Sequence, residues 1–156
     1  MPPPEVFWPE VHERFEQALS LSPLYPFDDI VPLLESLREA QVPMAVASSS
    51  ARGRLDHVLA AAELSAYFSF TLSANDVAHA KPNPDLYLLA AERFDVPPTA
   101  CLAVEDSAVG VAAARAAGMP VIHVRRGGPA VAGVTAVNNA WGLWPTRRSE
   151  WQASAV

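Results

Sequence analysis

Hydrophobic positions along this chain alternate between two rhythms. Over residues 10–21 they recur at helical spacing, as Val11, Phe15, Ala18 and Leu19, between Pro9 and Pro23. After the break at Ser22-Pro23-Leu24-Tyr25-Pro26, Ile30, Leu33, Leu34 and Leu37 make the stripe of a second helix. Asp28 or Asp29 can cap it, and Pro32 falls in its first turn, where a missing N–H does no harm. Residues 42–47 form a short apolar run closed by serines, which reads as a buried strand. The alternation then continues. A helix carries Leu55, Val58, Leu59 and Ala62 on one face, and a strand is expected at 68–72. Pro84 opens a helix with Leu86, Leu89, Ala90 and Phe94 inward, and a strand follows at 101–104. A small-residue helix over 108–117 is stopped by Gly118, before a strand at 121–124. From Gly127 onward the pattern is less regular, with a short strand at 134–137 and then Trp141, Trp144 and Trp151.

Helices of about ten residues alternating with short, wholly apolar strands predict an α/β fold, a doubly wound parallel sheet covered on both faces. Such sheets bind ligands in the crevice beyond the carboxyl ends of their strands. That rule selects three places: Ser48-Ser49-Ser50 after one strand, the loop His79-Ala80-Lys81-Pro82-Asn83-Pro84 before a helix, and Glu105-Asp106 after another strand. Each has a plainer reading beside the chemical one. The serines can hold an anion at a helix N-terminus or simply cap that helix. Two adjacent carboxylates ending a buried strand suit a hard cation such as Mg²⁺, or one of Asp106 and Ser107 caps the next helix. Lys81 alone reads as a solvated charge, although the flanking prolines fix the direction of its loop. His79 and His123 lack metal-ligand spacing and are expected at the surface or a strand edge. Cys101 is expected in the core.

Composition narrows the class. The chain has 156 residues, 51% of them hydrophobic and 18% charged, enough for one ordinary globular core. A net charge of −6 argues against nucleic acid or an anionic membrane as partner, and one cysteine excludes an internal disulfide. No secretory signal and no run of about 18 apolar residues is readable, so a cytoplasmic location is expected.

Taken in order, the three sites resemble the motifs of the haloacid dehalogenase superfamily, in the branch of β-phosphoglucomutase-like phosphatases. Val46-Ala47-Ser48-Ser49-Ser50 is similar to its second motif, Ala80-Lys81-Pro82-Asn83-Pro84-Asp85 to its third, and Val104-Glu105-Asp106-Ser107 with Gly110 and Ala113-Ala114-Arg115-Ala116-Ala117-Gly118 to its fourth. The resemblance spans roughly residues 24–126. It implies a Rossmann-like core, a small phosphorylated metabolite as substrate, Mg²⁺ as cofactor, and reaction through an aspartyl-phosphate. Ser48, Ser49 and Lys81 would bind the phosphate, Lys81 also neutralising the nucleophile, while Glu105 and Asp106 would hold the metal. The acidic pair favours phosphate chemistry over metal-free dehalogenation.

The superfamily's first motif, an Asp-x-Asp on the first strand, has no match. Asp28-Asp29 is not it, because no strand precedes the pair. The segment from Pro9 to Leu21 instead resembles the last helix of the family's helical cap. The expected organisation is therefore a cap remnant and linker over 1–26, a core over 27–126 and a partly irregular segment over 127–156, with the first central strand and most of the cap missing. Loss of a central strand orphans backbone groups at about 1–3 kcal/mol each when buried, against a typical stability of about 5–15 kcal/mol. The leading expectation is an N-terminally truncated, inactive phosphohydrolase fragment, phosphatase or phosphosugar mutase. The alternatives are a non-catalytic phosphate- or phosphosugar-binding pseudoenzyme, and a split enzyme whose partner chain supplies the strand.

Overall fold

A computed structural model describes Arg14 and residues 23–143; the helix expected over 10–21 and the tail tryptophans Trp144 and Trp151 fall outside the described residues. The elements in chain order are α1 (Ile30–Glu39), β1 (Ala45–Ala47), α2 (Arg52–Ala61), β2 (Phe70–Leu72), α3 (Asp85–Phe94), β3 (Ala103–Glu105), α4 (Ala108–Ala116), β4 (Val121–Val124) and β5 (Thr135–Val137), joined in part by 3₁₀ turns. Helices and strands alternate as the apolar rhythm predicts, and every strand pairing is parallel.

Three strands start later than their apolar runs, for one shared reason. The first residues of each run spend their N–H on finishing the preceding turn. Val42 N–H donates to Leu37 O at the end of α1, where Gln41 takes a left-handed φ of 58°, and Pro43 has no N–H to give. Phe68 N–H closes a 3₁₀ turn on Ser65 O, and Cys101 N–H closes one on Pro98 O. Hydrophobicity marks the run, but the donor count sets where the ladder begins.

The sheet is in two parts. β1 pairs with β2, and β3, β4 and β5 form a separate three-stranded sheet in that order. The expectation was a parallel sheet lacking its first central strand; the described residues leave β1 and β3 as facing edges with no strand between them. Helix α3 spans the break. Its Leu86 and Ala90 pack with Leu72 of β2, while Tyr87 and Ala91 pack with Ala103 of β3 and with Ala113, Ala114 and Met119. Ala47 at the end of β1 touches both groups. The i, i+4 pairs Leu86–Ala90 and Tyr87–Ala91 thus give one helix two adjacent stripes, one per half-sheet. On α4 the alanines allow close approach to the sheet, with Ala113 and Ala114 fully buried. Leu33 of α1 joins Val124, Ala140 and Leu143, which draws the residues after β5 into the core.

Asp29 stands at the N-cap of α1, as predicted, but its side chain does not cap the helix. It accepts both Arg126 Nη1 (2.8 and 2.7 Å) and the Ala140 N–H, and Arg126 lies over the Phe27 ring. Burial pushes the Asp29 carboxyl up; the Ala140 N–H and Arg126 outweigh it and hold it below the ordinary value. Ser107 and Gly118 act as expected at the two ends of α4: Ser107 Oγ accepts the Gly110 N–H at 3.0 Å, and Gly118 has φ +77°.

Candidate functional site

Between β1 and β3 lies a cleft of about 1100 Å³. Ser48, Ser49 and Ser50, Lys81, and Glu105 and Asp106 all line it, so the three places selected by the strand-end rule meet in one site. Apolar side chains, among them Ile30, Leu33, Val46 and Val124, form its deeper walls.

The serines do not cap α2. Its N-cap is Ala51, with no side-chain bond. Ser48 Oγ instead accepts the Ser50 N–H at 3.1 Å, which leaves the Ser48 hydroxyl proton free to donate. Likewise Ser107 fills the capping role at α4, so Asp106 is not used up as a cap and its side chain stays on the exposed rim.

Lys81 is no solvated charge. Its side chain is 7% exposed, and its ammonium donates to Ala47 O (3.0 Å), to Tyr87 Oη (3.2 Å) and to Glu105 Oε1. It therefore ties the end of β1 to the end of β3 across the break. The loop before α3 carries it there, with a cis peptide between Lys81 and Pro82. Glu105 Oε1 also accepts the Tyr87 hydroxyl, and Oε2 takes Ser107 Oγ at 3.3 Å. Burial first, then the bond and charge of Glu105 and the charge of Asp106, push the Tyr87 phenol far above its ordinary value, so it stays a donor. Gly110 is a steric requirement of this arrangement: a Cβ there would overlap the Glu105 carboxylate.

Tyr87 is the residue that sequence reasoning missed. Leu89 and Phe94, counted among the inward positions of α3, are only half-buried, while Tyr87 is 7% exposed. The available signal was its place in the first turn after the Lys81 loop, where a hydroxyl-bearing aromatic points back toward the same strand ends. His123 also departs from expectation. It is buried on the middle strand β4, not at the surface, because Nδ1 accepts the Val131 N–H and Nε2 meets Asp106 O, both at 3.3 Å. His79 is exposed and pairs with Asp85 at 2.9 Å. Cys101 is half-buried against the core, and burial raises its thiol.

Among the described residues, no group of three or more His, Cys, Asp or Glu side chains gathers as a metal cage. Two adjacent carboxylates with serine oxygens nearby still match the habit of Mg²⁺, which takes one or two carboxylates and leaves other positions to phosphate and water.

A profile described as haloacid dehalogenase-like hydrolase matches residues 2–118. The chain belongs to that family. The fructose-1-phosphate phosphatase YqaB of Escherichia coli is 42% identical over 106 residues, covering 68% of this chain and 54% of that protein. Protein CbbY of Rhodobacter capsulatus is 31% identical over 113 residues, 70% of this chain and 50% of that protein. The chain thus spans about half the length of the curated relatives it matches. Among solved structures, a CbbY variant from Rhodobacter sphaeroides in complex with xylulose-(1,5)bisphosphate superposes with a TM-score of 0.75 at 27% identity, covering 85% of this chain and 62% of that one. A phosphoglycolate phosphatase of Shigella boydii, 28% identical over 118 residues, 76% of this chain and 47% of that protein, is a further relative named for a small phosphorylated metabolite. Among the described residues, no helix is long and apolar enough to cross a membrane.

Proposed function

We propose that the cleft is the phosphoryl-transfer site of a Mg²⁺-dependent phosphatase or phosphosugar mutase working in the cytoplasm on a small phosphorylated sugar. The convergence of Ser48, Lys81 and the Glu105-Asp106 pair on one rim carries this reading. The names of the relatives support its substrate class, from fructose-1-phosphate to xylulose-(1,5)bisphosphate.

Each residue has a task. Ser48 donates its hydroxyl to a phosphoryl oxygen, with the Ser49 backbone beside it. Lys81 exchanges the neutral Ala47 carbonyl for the phosphate and offsets its charge. Glu105 keeps that ammonium aimed while Tyr87 and Ser107 fix Glu105. Asp106, with Glu105, would hold Mg²⁺, which supplies charge neutralisation at the phosphate when bound. In the chemistry, an aspartate carboxylate attacks phosphorus as the P–O bond to the sugar breaks and the departing oxygen takes a proton. Water then hydrolyses the aspartyl-phosphate to free phosphate.

No described residue fits the role of that nucleophile. The acids lining the cleft are Glu105 and Asp106, and Glu105 is held by Lys81, Tyr87 and Ser107. On this reading the described residues alone bind phosphate without turning it over. The same observation favours a second reading, a pseudoenzyme that binds a phosphosugar and never hydrolyses it.

Calorimetric titration of the chain with inorganic phosphate in the presence of Mg²⁺ tests the site. Lys81→Met should weaken binding roughly ten- to hundredfold, the worth of a charged hydrogen bond at about 1.5–3 kcal/mol. Unchanged affinity would remove the phosphate from the cleft. Release of phosphate from fructose-1-phosphate by chain 1–156 alone would refute the inactivity. Adding the parts of YqaB that have no counterpart here separates the two readings: restored turnover supports the enzyme, and persistent silence the pseudoenzyme.

A further inference from the structure

The backbone carbonyl of Asp106 lies just outside both regular elements it joins. It is one residue past β3, and the first helical bond of α4 runs from Val111 N–H to Ser107 O, so the helix gives it no partner. The partner comes from across the sheet. His123 stands opposite Glu105 in the β3–β4 register, so the two side chains share one face. That face is the one α4 covers, where a Cβ on Gly110 would overlap the Glu105 carboxylate. From there His123 Nε2 reaches Asp106 O at 3.3 Å.

The other ring nitrogen decides what this contact is. Nδ1 stands 3.3 Å from the Val131 N–H, a group that can only donate, so Nδ1 accepts and the proton sits on Nε2. Nε2–H then donates to Asp106 O, which can only accept. One imidazole, 4% exposed, thus ties the loop at Val131 to the peptide joining Asp106 and Ser107. Ser107 is itself fixed, because its Oγ accepts the Gly110 N–H and caps α4. Packing alone does not account for a histidine here. A buried imidazole must be matched at its polar atoms, whereas the flanking Ile122 and Val124 need no partner. Asp106 is also shared by two cavities: the cleft, with Lys81 and Glu105, and a smaller one of about 400 Å³, with His123, Arg125 and Val131.

We propose that His123 is a positioning residue of the acidic rim. By clamping the Asp106–Ser107 peptide to the Val131 loop, it sets the direction in which the Asp106 carboxylate is presented to a divalent cation. This rests on the assignment of Glu105 and Asp106 to Mg²⁺ made above. His123 touches neither cation nor phosphate in this role. It acts as outer partners of metal ligands do, restricting the ligand's orientations before the cation arrives. Its loss lowers affinity for the cation without altering the set of acidic ligands.

The full chain is tested first without metal. Nitrogen–proton correlation spectra of the histidine side chains should show His123 with Nδ1 bare and Nε2 protonated. A proton on Nδ1 would overturn the proposal, since the ring could not then accept the Val131 N–H. Mn²⁺ binding in the presence of inorganic phosphate, followed by the electron paramagnetic resonance signal of the free ion, comes second. His123→Phe should weaken Mn²⁺ binding about tenfold. His123→Gln, whose amide can still accept from Val131 and donate to Asp106, should recover most of that loss; a Gln variant as weak as the Phe variant would reduce His123 to packing. Val131→Pro deletes only the loop donor, and keeps the test open should His123→Phe fail to fold. It should shift His123 toward the other tautomer and weaken Mn²⁺ less than His123→Phe does. Asp106→Asn separates this proposal from the reading beneath it. If that variant binds Mn²⁺ as the parent does, the cation does not sit on this rim and both fall. If it binds weakly while the His123 and Val131 variants match the parent, the positioning role alone fails.

Discussion

Two networks in this molecule use the same parts, one cation with carboxylate, hydroxyl and carbonyl partners, at opposite edges of β1 and β2. At the outer edge, Arg52 donates to Thr71 Oγ1 (2.6 Å), Thr71 O (3.0 Å), Asp56 (3.2 Å) and Asp76 (2.5 Å). Its side chain is 35% exposed and that of Asp76 26%. At the inner edge, Lys81 and Glu105 are 7% and 8% exposed, and they join two half-sheets that share no strand pairing. The outer network decorates a ladder that backbone bonds already hold. The inner one stands where the ladder is interrupted. Similar chemistry therefore carries different weight, because water competes for the first network and is largely excluded from the second.

The largest expected effect breaks the inner pair. Glu105→Ala leaves the Lys81 ammonium buried with only Ala47 O and Tyr87 Oη, and should cost about 3–5 kcal/mol, read as a fall in the urea midpoint. Lys81→Met added to Glu105→Ala should recover part of that loss, since no buried charge remains unpaired. An exposed pair gives no such rescue. If the single and double variants unfold at the same urea concentration, the inner network is no different in kind from the outer one.

A smaller effect sharpens the comparison within the inner network. Tyr87→Phe keeps the ring that packs against Ala91 and Ala103 and lies 4.7 Å from Lys81 Nζ, but deletes the hydroxyl donor to Glu105. A buried carboxylate oxygen that loses one neutral donor while keeping its ammonium should cost about 1–2 kcal/mol, measured by the same denaturation. A loss below about 0.5 kcal/mol would mean that Lys81 alone fixes Glu105.

The site was legible in the sequence to the extent that strand ends were. Ser48, Lys81, Glu105 and Asp106 each follow or precede a readable element, and the strand-end rule gathers them without knowledge of side-chain geometry. Tyr87 carried a signal only in its place in the first turn after the Lys81 loop, and His123 carried none, because the Val131 N–H and Asp106 O that hold it are brought together only by the fold. The order of elements followed from apolar periodicity, whereas strand starts did not, since Val42, Phe68 and Cys101 use their N–H groups in turns that hydrophobicity cannot register. The split of the sheet was foreshadowed only as an energetic difficulty, a missing central partner. Its form, two parallel half-sheets bridged by α3 and by one lysine, depends on packing between Leu86, Tyr87 and Ala47 that local pattern does not encode.

The smallest expected effect lies in the outer network and is a matter of pH. The Ser73 N–H and hydroxyl, each 2.7 Å from Asp76 Oδ2, and Arg52 after them lower the Asp76 carboxyl from its ordinary 3.8 to about 2 against the pull of burial. A carboxyl whose folded pKa is depressed stabilises the fold above its unfolded pKa. That contribution drains away as the pH falls through the folded value. Asp76 should therefore contribute fully above about pH 5 and progressively less toward pH 2, with a total on the order of 1 kcal/mol after allowance for solvent screening. Comparing the parent with Asp76→Asn in urea at a series of pH values isolates this. The gap in stability between them should be flat above about pH 5 and close between pH 4 and 2. A gap that persists unchanged at pH 2 would show that the hydrogen bonds of Asp76, and not its charge, fasten the outer edge of β2. The two networks would then differ in electrostatics as well as in burial.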